Sequence, residues 1–77
     1  MTNTNLLEKY IEKSGYKRSF IAKKLGITTY GLQKKVTNVN EFKASEIDTL
    51  CTLLNIDVAE RMAIFFAKQV DSQSTIK

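Results

Sequence analysis

The 77-residue chain has no proline, no histidine and no tryptophan, and its single cysteine is Cys51. Each absence removes a class of protein. With only three glycines (Gly15, Gly26 and Gly31) and no proline, the turn-rich connections of a β-sandwich or barrel lack material, and helices joined by short loops are favoured. Without histidine and with one cysteine there can be no zinc finger, no intrachain disulfide and no Ser-His or Cys-His dyad. No glycine-rich phosphate loop, metal-ligand spacing or carboxylate pair stands out. The chain therefore does not read as an enzyme, and neither a cofactor nor a small-molecule substrate is expected. No apolar run reaches membrane-spanning length, and residues 1–5 are polar, without the cationic and apolar pattern of a signal peptide. A single cytoplasmic domain is the expectation.

What is present is concentrated in residues 18–36, R-S-F-I-A-K-K-L-G-I-T-T-Y-G-L-Q-K-K-V. Ile21, Ala22 and Leu25 line one face of a helix. Gly26 supplies the left-handed backbone of a tight helix exit. Ile27 plugs the corner, Thr28 caps a new helix, and Leu32 with Val36 gives that helix a buried edge at i, i+4. Ala22 is small enough for the second helix to approach closely. Two helices crossing steeply over so short a turn form a helix-turn-helix, whose second helix can enter the DNA major groove.

Charge follows the same division. Residues 1–43 carry net +6 and residues 44–77 net −2, within an overall +4. The basic half holds the helix-turn-helix pattern, as phosphate neutralisation requires. Lysines that merely solubilise helix faces fit the charge equally well.

Around this centre the pattern predicts a first helix over 4–14, with Leu7, Tyr10 and Ile11 as its core stripe and Gly15 as its stop. Helices follow over 18–25, 29–37 and 44–54, the last with Ile47, Leu50, Cys51 and Leu54 on one face and Asn55 ending it. On that face Cys51 reads as a reduced core residue. A fifth helix starts at Asp57, where Asp57 and Glu60 form a capping-box-like pair, and runs to 70. Its apolar residues cover most of its circumference, which calls for partners on two sides. Met62, Ile64, Phe65, Phe66 and Val70 are the candidate surface for a homodimer or another protein. Residues 1–70 make the domain, and 71–77 a fraying tail.

The residues Ile21-Ala22-x-x-Leu25-Gly26-Ile27-Thr28, then Leu32 and Leu54-Asn55-Ile56, resemble the Cro/CI-type helix-turn-helix family, the lambda-repressor-like DNA-binding domains of phage and bacterial regulators. Asn38-x-Asn40-Glu41-Phe42, Glu46-Ile47 and Phe65-Phe66-Ala67 look more narrowly like small regulators of temperate phages from Gram-positive bacteria. The resemblance implies a compact, all-α, five-helix lambda-repressor-like domain that binds a double-stranded DNA operator. In such phages, proteins of this size act in the lysis–lysogeny switch. Some are Cro-like repressors, and others are antirepressors that hold the larger phage repressor protein.

By position, the family reads bases with the start and outer face of the 29–37 helix. With Leu32 and Val36 inward, a rotation of 100° per residue turns Tyr30 and Lys34 outward, with Gln33 and Gly31 at the flanks. Thr29, Tyr30, Gln33 and Lys34 are the candidate base readers. Gln33 suits adenine, Lys34 suits guanine, and Thr29 suits either partner or a thymine methyl. Arg18, Ser19, Thr28, Lys35, Asn38 and Asn40 are the candidates for the sugar-phosphate strand. Lys23, Lys24 and Lys35 add diffuse attraction. Three positions depart from the family pattern. Lys17 stands where a Thr or Ser cap is usual, Phe20 where the family is polar, and Leu32/Val36 are spaced i+4 where many relatives use i+3.

Overall fold

The computed structural model describes residues 1–66, which form five α-helices: α1 (Thr4–Ser14), α2 (Arg18–Leu25), α3 (Thr29–Val36), α4 (Ala44–Leu54) and α5 (Val58–Phe65). The first four follow the expected spans, except that Thr37 caps α3 instead of belonging to it. The fifth starts one residue later than expected, because Asp57 is its cap. Phe66 caps its other end, and the expected continuation to 70 and the tail 71–77 lie outside the described residues.

The helix ends have identifiable local causes. Gly15 and Gly26 close α1 and α2 at φ +75° and +74°. At the second exit the Ile27 N–H donates to the Ala22 carbonyl at 3.0 Å, turning the chain sharply into α3. Thr28 then caps α3 by accepting the Gly31 N–H at 2.9 Å. A Cβ on Gly31 would lie 3.1 Å from that Thr28 oxygen, so the glycine leaves the cap room to close. Asn55 ends α4 at φ +59°. Asp57 accepts the Glu60 N–H at 2.8 Å, but the capping box is only half made, because Glu60 Oε1 instead accepts the Tyr10 hydroxyl at 3.2 Å. Lys17, at the N-cap of α2, has extended backbone and no side-chain cap bond.

Leu7, Ile11, Ile21, Leu32, Val36, Leu50 and Ile64 fill the centre, and all five helices contribute. Ala22 is almost fully buried where α2 and α3 pack, as the helix-turn-helix pattern requires. Cys51 belongs to this core, and burial pushes its thiol pKa up, which keeps it protonated and unreactive. A helix apolar nearly all round also resolves here. Ile64 and Phe65 are 0 % and 4 % exposed, with Phe65 edge-on to Phe42 at 5.4 Å, so both are core residues rather than the surface expected of them.

A largely buried charge pair links α3 to α4. Lys35 Nζ donates to Glu46 Oε1 at 2.5 Å, with the two side chains 11 % and 7 % exposed. The same carboxylate oxygen accepts the Lys43 N–H at 2.8 Å, the acidic half of a capping box that starts α4. Burial alone would raise the Glu46 pKa, but the Lys35 ammonium and the Lys43 N–H outweigh it and hold the carboxyl below its ordinary value. One side chain thus caps α4 and ties α3 to it.

Two outcomes follow. Lys17→Thr should stabilise the domain by roughly 0.5–1 kcal/mol, a rise of several degrees in Tm, by giving α2 the cap it lacks. A Tm at or below wild type would show that the α2 start is already satisfied. Because the Glu46 pKa is lower folded than unfolded, its contribution is fully present above the unfolded value of about 4.3 and drains away as pH falls through the folded one. Chemical denaturation across this acid range should show that loss in the wild type. Glu46→Gln should be less stable at neutral pH and lack that part of the slope; parallel pH profiles for the two proteins would rule the coupling out.

Candidate nucleic-acid interface

The geometry of α3 separates its residues cleanly. Leu32 and Val36 are within the core, while Thr29, Tyr30 and Gln33 are exposed and Lys34 is half-buried. Tyr30 is 72 % exposed, high for an aromatic residue, and Lys34 Nζ lies over its ring, 4.9 Å from the centroid. Tyr30 and Lys34 thus lie opposite the buried edge, Gln33 at its flank, and Thr29 is exposed at the helix start on the side nearer the core. Among the described residues, none of their side chains hydrogen-bonds or ion-pairs with the rest of the fold, and Lys34 and Tyr30 touch only within the face itself.

The expected phosphate contacts divide. Ser19, Thr28 and Asn40 are exposed, and Thr28 keeps its O–H while its oxygen caps the helix. Three others are already engaged within the protein. Arg18 Nη2 donates to Glu8 on α1 and so braces α2 against α1, while Nη1 is shielded from solvent and has no hydrogen-bond partner among the described residues. Lys35 is buried against Glu46. Asn38, at φ +70°, turns its side chain back onto residues 2 and 4: Oδ1 accepts the Thr2 N–H at 2.8 Å and Nδ2 donates to the Thr2 carbonyl at 2.9 Å.

No signal in the sequence announced these partners. Glu8 and Glu46 lie ten and eleven residues from the cations they pair with, on other helices. What remains for diffuse attraction is Lys23 and Lys24 on the exposed side of α2, where Lys24 Nζ sits 5.4 Å from the Phe20 ring centroid. Phe20 in turn packs on Tyr16 at 5.0 Å, so the departure from a polar family position forms a small exposed aromatic pair.

On α5, Met62 and Phe66 are exposed, at 56 % and 52 %, as a partner surface needs, whereas Ile64 and Phe65 point inward. Val70 lies outside the described residues. Val58, 77 % exposed and one turn before Met62, completes an apolar row that the sequence reading did not single out. Ala59 and Ala63 lie exposed beside it.

The family model that describes the Cro/C1-type HTH DNA-binding domain matches residues 6–64, from α1 into the last turn of α5. Comparison with curated proteins and with solved structures finds no match. A steep α2–α3 corner, a free outward face on α3 and a family match across all five helices lead to one conclusion: the chain belongs to the Cro/C1-type helix-turn-helix DNA-binding domain family.

Proposed function

We propose that the protein is a sequence-specific transcriptional regulator of the Cro-like kind, serving a phage-type genetic switch by occupying an operator. The observation that carries this reading is the outward face of α3. Thr29, Tyr30, Gln33 and Lys34 are presented together, and the fold uses none of them for its own stability. Side chains left idle by the core, on the helix that the family inserts in the major groove, are free to read base edges. The row Val58, Met62 and Phe66 supports a homodimer, since a two-fold pair of α5 helices would cover it on both copies. Two such domains would meet half-sites about one helical turn apart.

A second reading has its own support. Arg18 and Lys35 are neutralised internally, and Tyr30, Phe20, Met62 and Phe66 are all exposed, which favours an antirepressor gripping a larger repressor protein. The discriminating assay is a gel shift against selected duplexes, with and without the cognate repressor. A shift by this protein alone supports operator binding; release of the repressor from its operator without such a shift supports antirepression.

Under the first reading, Gln33→Ala and Lys34→Ala should each cost roughly 1–3 kcal/mol of operator binding and relax the base preference at one position. Arg18→Ala should lower Tm and leave the salt dependence of operator binding unchanged; a salt dependence shallower by about one contact would return Arg18 to the phosphates. Met62→Glu should convert the dimer to monomer in sedimentation experiments with little change in Tm, and an unchanged sedimentation profile would take α5 out of the interface.

A further inference from the structure

Residues 2–4, leading into the first turn of α1, are held by hydrogen bonds to Asn38, α3 and α5. Thr2 N–H donates to Asn38 Oδ1 at 2.8 Å, and Asn38 Nδ2 returns a bond to the Thr2 carbonyl at 2.9 Å. Thr4 Oγ1 donates to the Val36 carbonyl in the last turn of α3 at 2.6 Å. Asn3 N–H donates to the Ile64 carbonyl in the last turn of α5, also at 2.6 Å. Thr2 is 8 % exposed as a result.

The Asn3 bond ties this segment to α5, and the two Thr2–Asn38 bonds and the Thr4 bond meet where α3 ends. Just beyond it the chain reverses: the N–H groups of Val39 and Asn40 both donate to the Lys34 carbonyl, at 2.8 and 3.1 Å, and Asn38 takes a left-handed backbone to allow it. The turn therefore hangs from the carbonyl of one expected base reader and is held from outside by the Asn38 side chain. Asn40, the exposed residue expected at the sugar-phosphate strand, sits at its far end.

We infer that Asn38 is a positioning residue for DNA binding. Its paired bonds with Thr2 clasp the pre-α1 segment against the exit of α3 and thereby set where Asn40 and Lys34 stand relative to the DNA. The clasp rests on the DNA-binding reading for its consequence but not for its existence. Asn38 has no further amide donor pointing at DNA to offer while the clasp is closed, since Nδ2 serves the Thr2 carbonyl and the Thr4 hydroxyl at 3.4 Å. A backbone reversal of this kind needs only a residue that tolerates positive φ, for which glycine suffices. The asparagine adds the side chain that reaches across thirty-six residues of sequence to Thr2.

Two substitutions open the clasp from opposite sides. Asn38→Gly keeps the left-handed backbone and removes both side-chain bonds. Thr2→Pro removes the N–H that Oδ1 accepts and leaves the Asn38 side chain in place. The probe is a duplex selected by the wild-type protein from a randomised library, at a temperature where circular dichroism shows every variant folded. Each variant should bind this duplex about tenfold or more weakly, with a salt dependence shallower by about one phosphate contact, and the double variant should be no weaker than either single one. If Thr2→Pro binds as wild type while Asn38→Gly does not, Asn38 touches the DNA itself and the inference fails. It fails equally if both bind as wild type.

Hydrogen exchange of the DNA-free protein gives an independent reading. The Val39 and Asn40 amides should exchange faster in both variants, while core amides change only in step with global stability. Unchanged exchange at 39 and 40 overturns the clasp. Should the wild type select no duplex at all, the operator-binding reading falls, and this exchange measurement still decides whether the clasp holds the turn.

Discussion

α3 is eight residues long, too short to hold a helical conformation or a fixed direction in water by itself. Its orientation therefore comes from what fastens it. At its start the Gly26 corner and the Thr28 cap aim it away from α2. Along its flank Lys35 is tied to Glu46 of α4. At its end Asn38 and the Val36 carbonyl hold residues 2 and 4. Leu32 and Val36 supply the burial that makes these attachments worthwhile, and the attachments determine which way the opposite face looks.

Electrostatics in this domain works in two directions. The basic half suggests a surface built for phosphate, yet Arg18 and Lys35 are turned to carboxylates on neighbouring helices. The Lys35–Glu46 pair is nearly dry, so its partners depend on each other: removing one leaves the other charged and desolvated. The exposed Arg18–Glu8 and Arg61–Asp48 pairs contribute less, because water screens them and long side chains must be ordered to form them. Of the twelve cations that composition counts, Arg18, Lys35 and Arg61 are paired with carboxylates, while Lys9, Lys13, Lys17, Lys23, Lys24 and Lys43 are exposed.

The helices were legible in the sequence because their signals are local. Gly26, Asn55, Thr28 and Asp57 carry their conformational preferences with them, and a periodicity of Leu32 with Val36 or Leu50 with Leu54 needs no knowledge of the partner. The outward turn of Tyr30, Gln33 and Lys34 follows from the same arithmetic. Long-range pairings left no such trace. Nothing near Lys35 in sequence marks Glu46 as its partner, and nothing near Asn38 marks Thr2, so family position alone suggests the sugar-phosphate strand for both. On α5 apolar residues cover most of the circumference, so periodicity could not say that Ile64 and Phe65 face in while Val58, Met62 and Phe66 face out. Only the packing of Phe42 and the pre-α1 segment against its end decides that.

The idleness of the α3 outer face has a consequence for how such a protein can change over time. Thr29, Tyr30, Gln33 and Lys34 bear none of the core and none of the ties that hold the helix in place. Replacing them leaves the folding free energy nearly untouched, so this surface can drift through many combinations without passing through an unfolded ancestor. Gly31, in their midst, is more constrained, since a Cβ there would lie 3.1 Å from the Thr28 oxygen that caps the helix. Diversification in a lineage built on this scaffold would therefore be channelled into those four positions around a sterically constrained glycine, with the architecture unchanged.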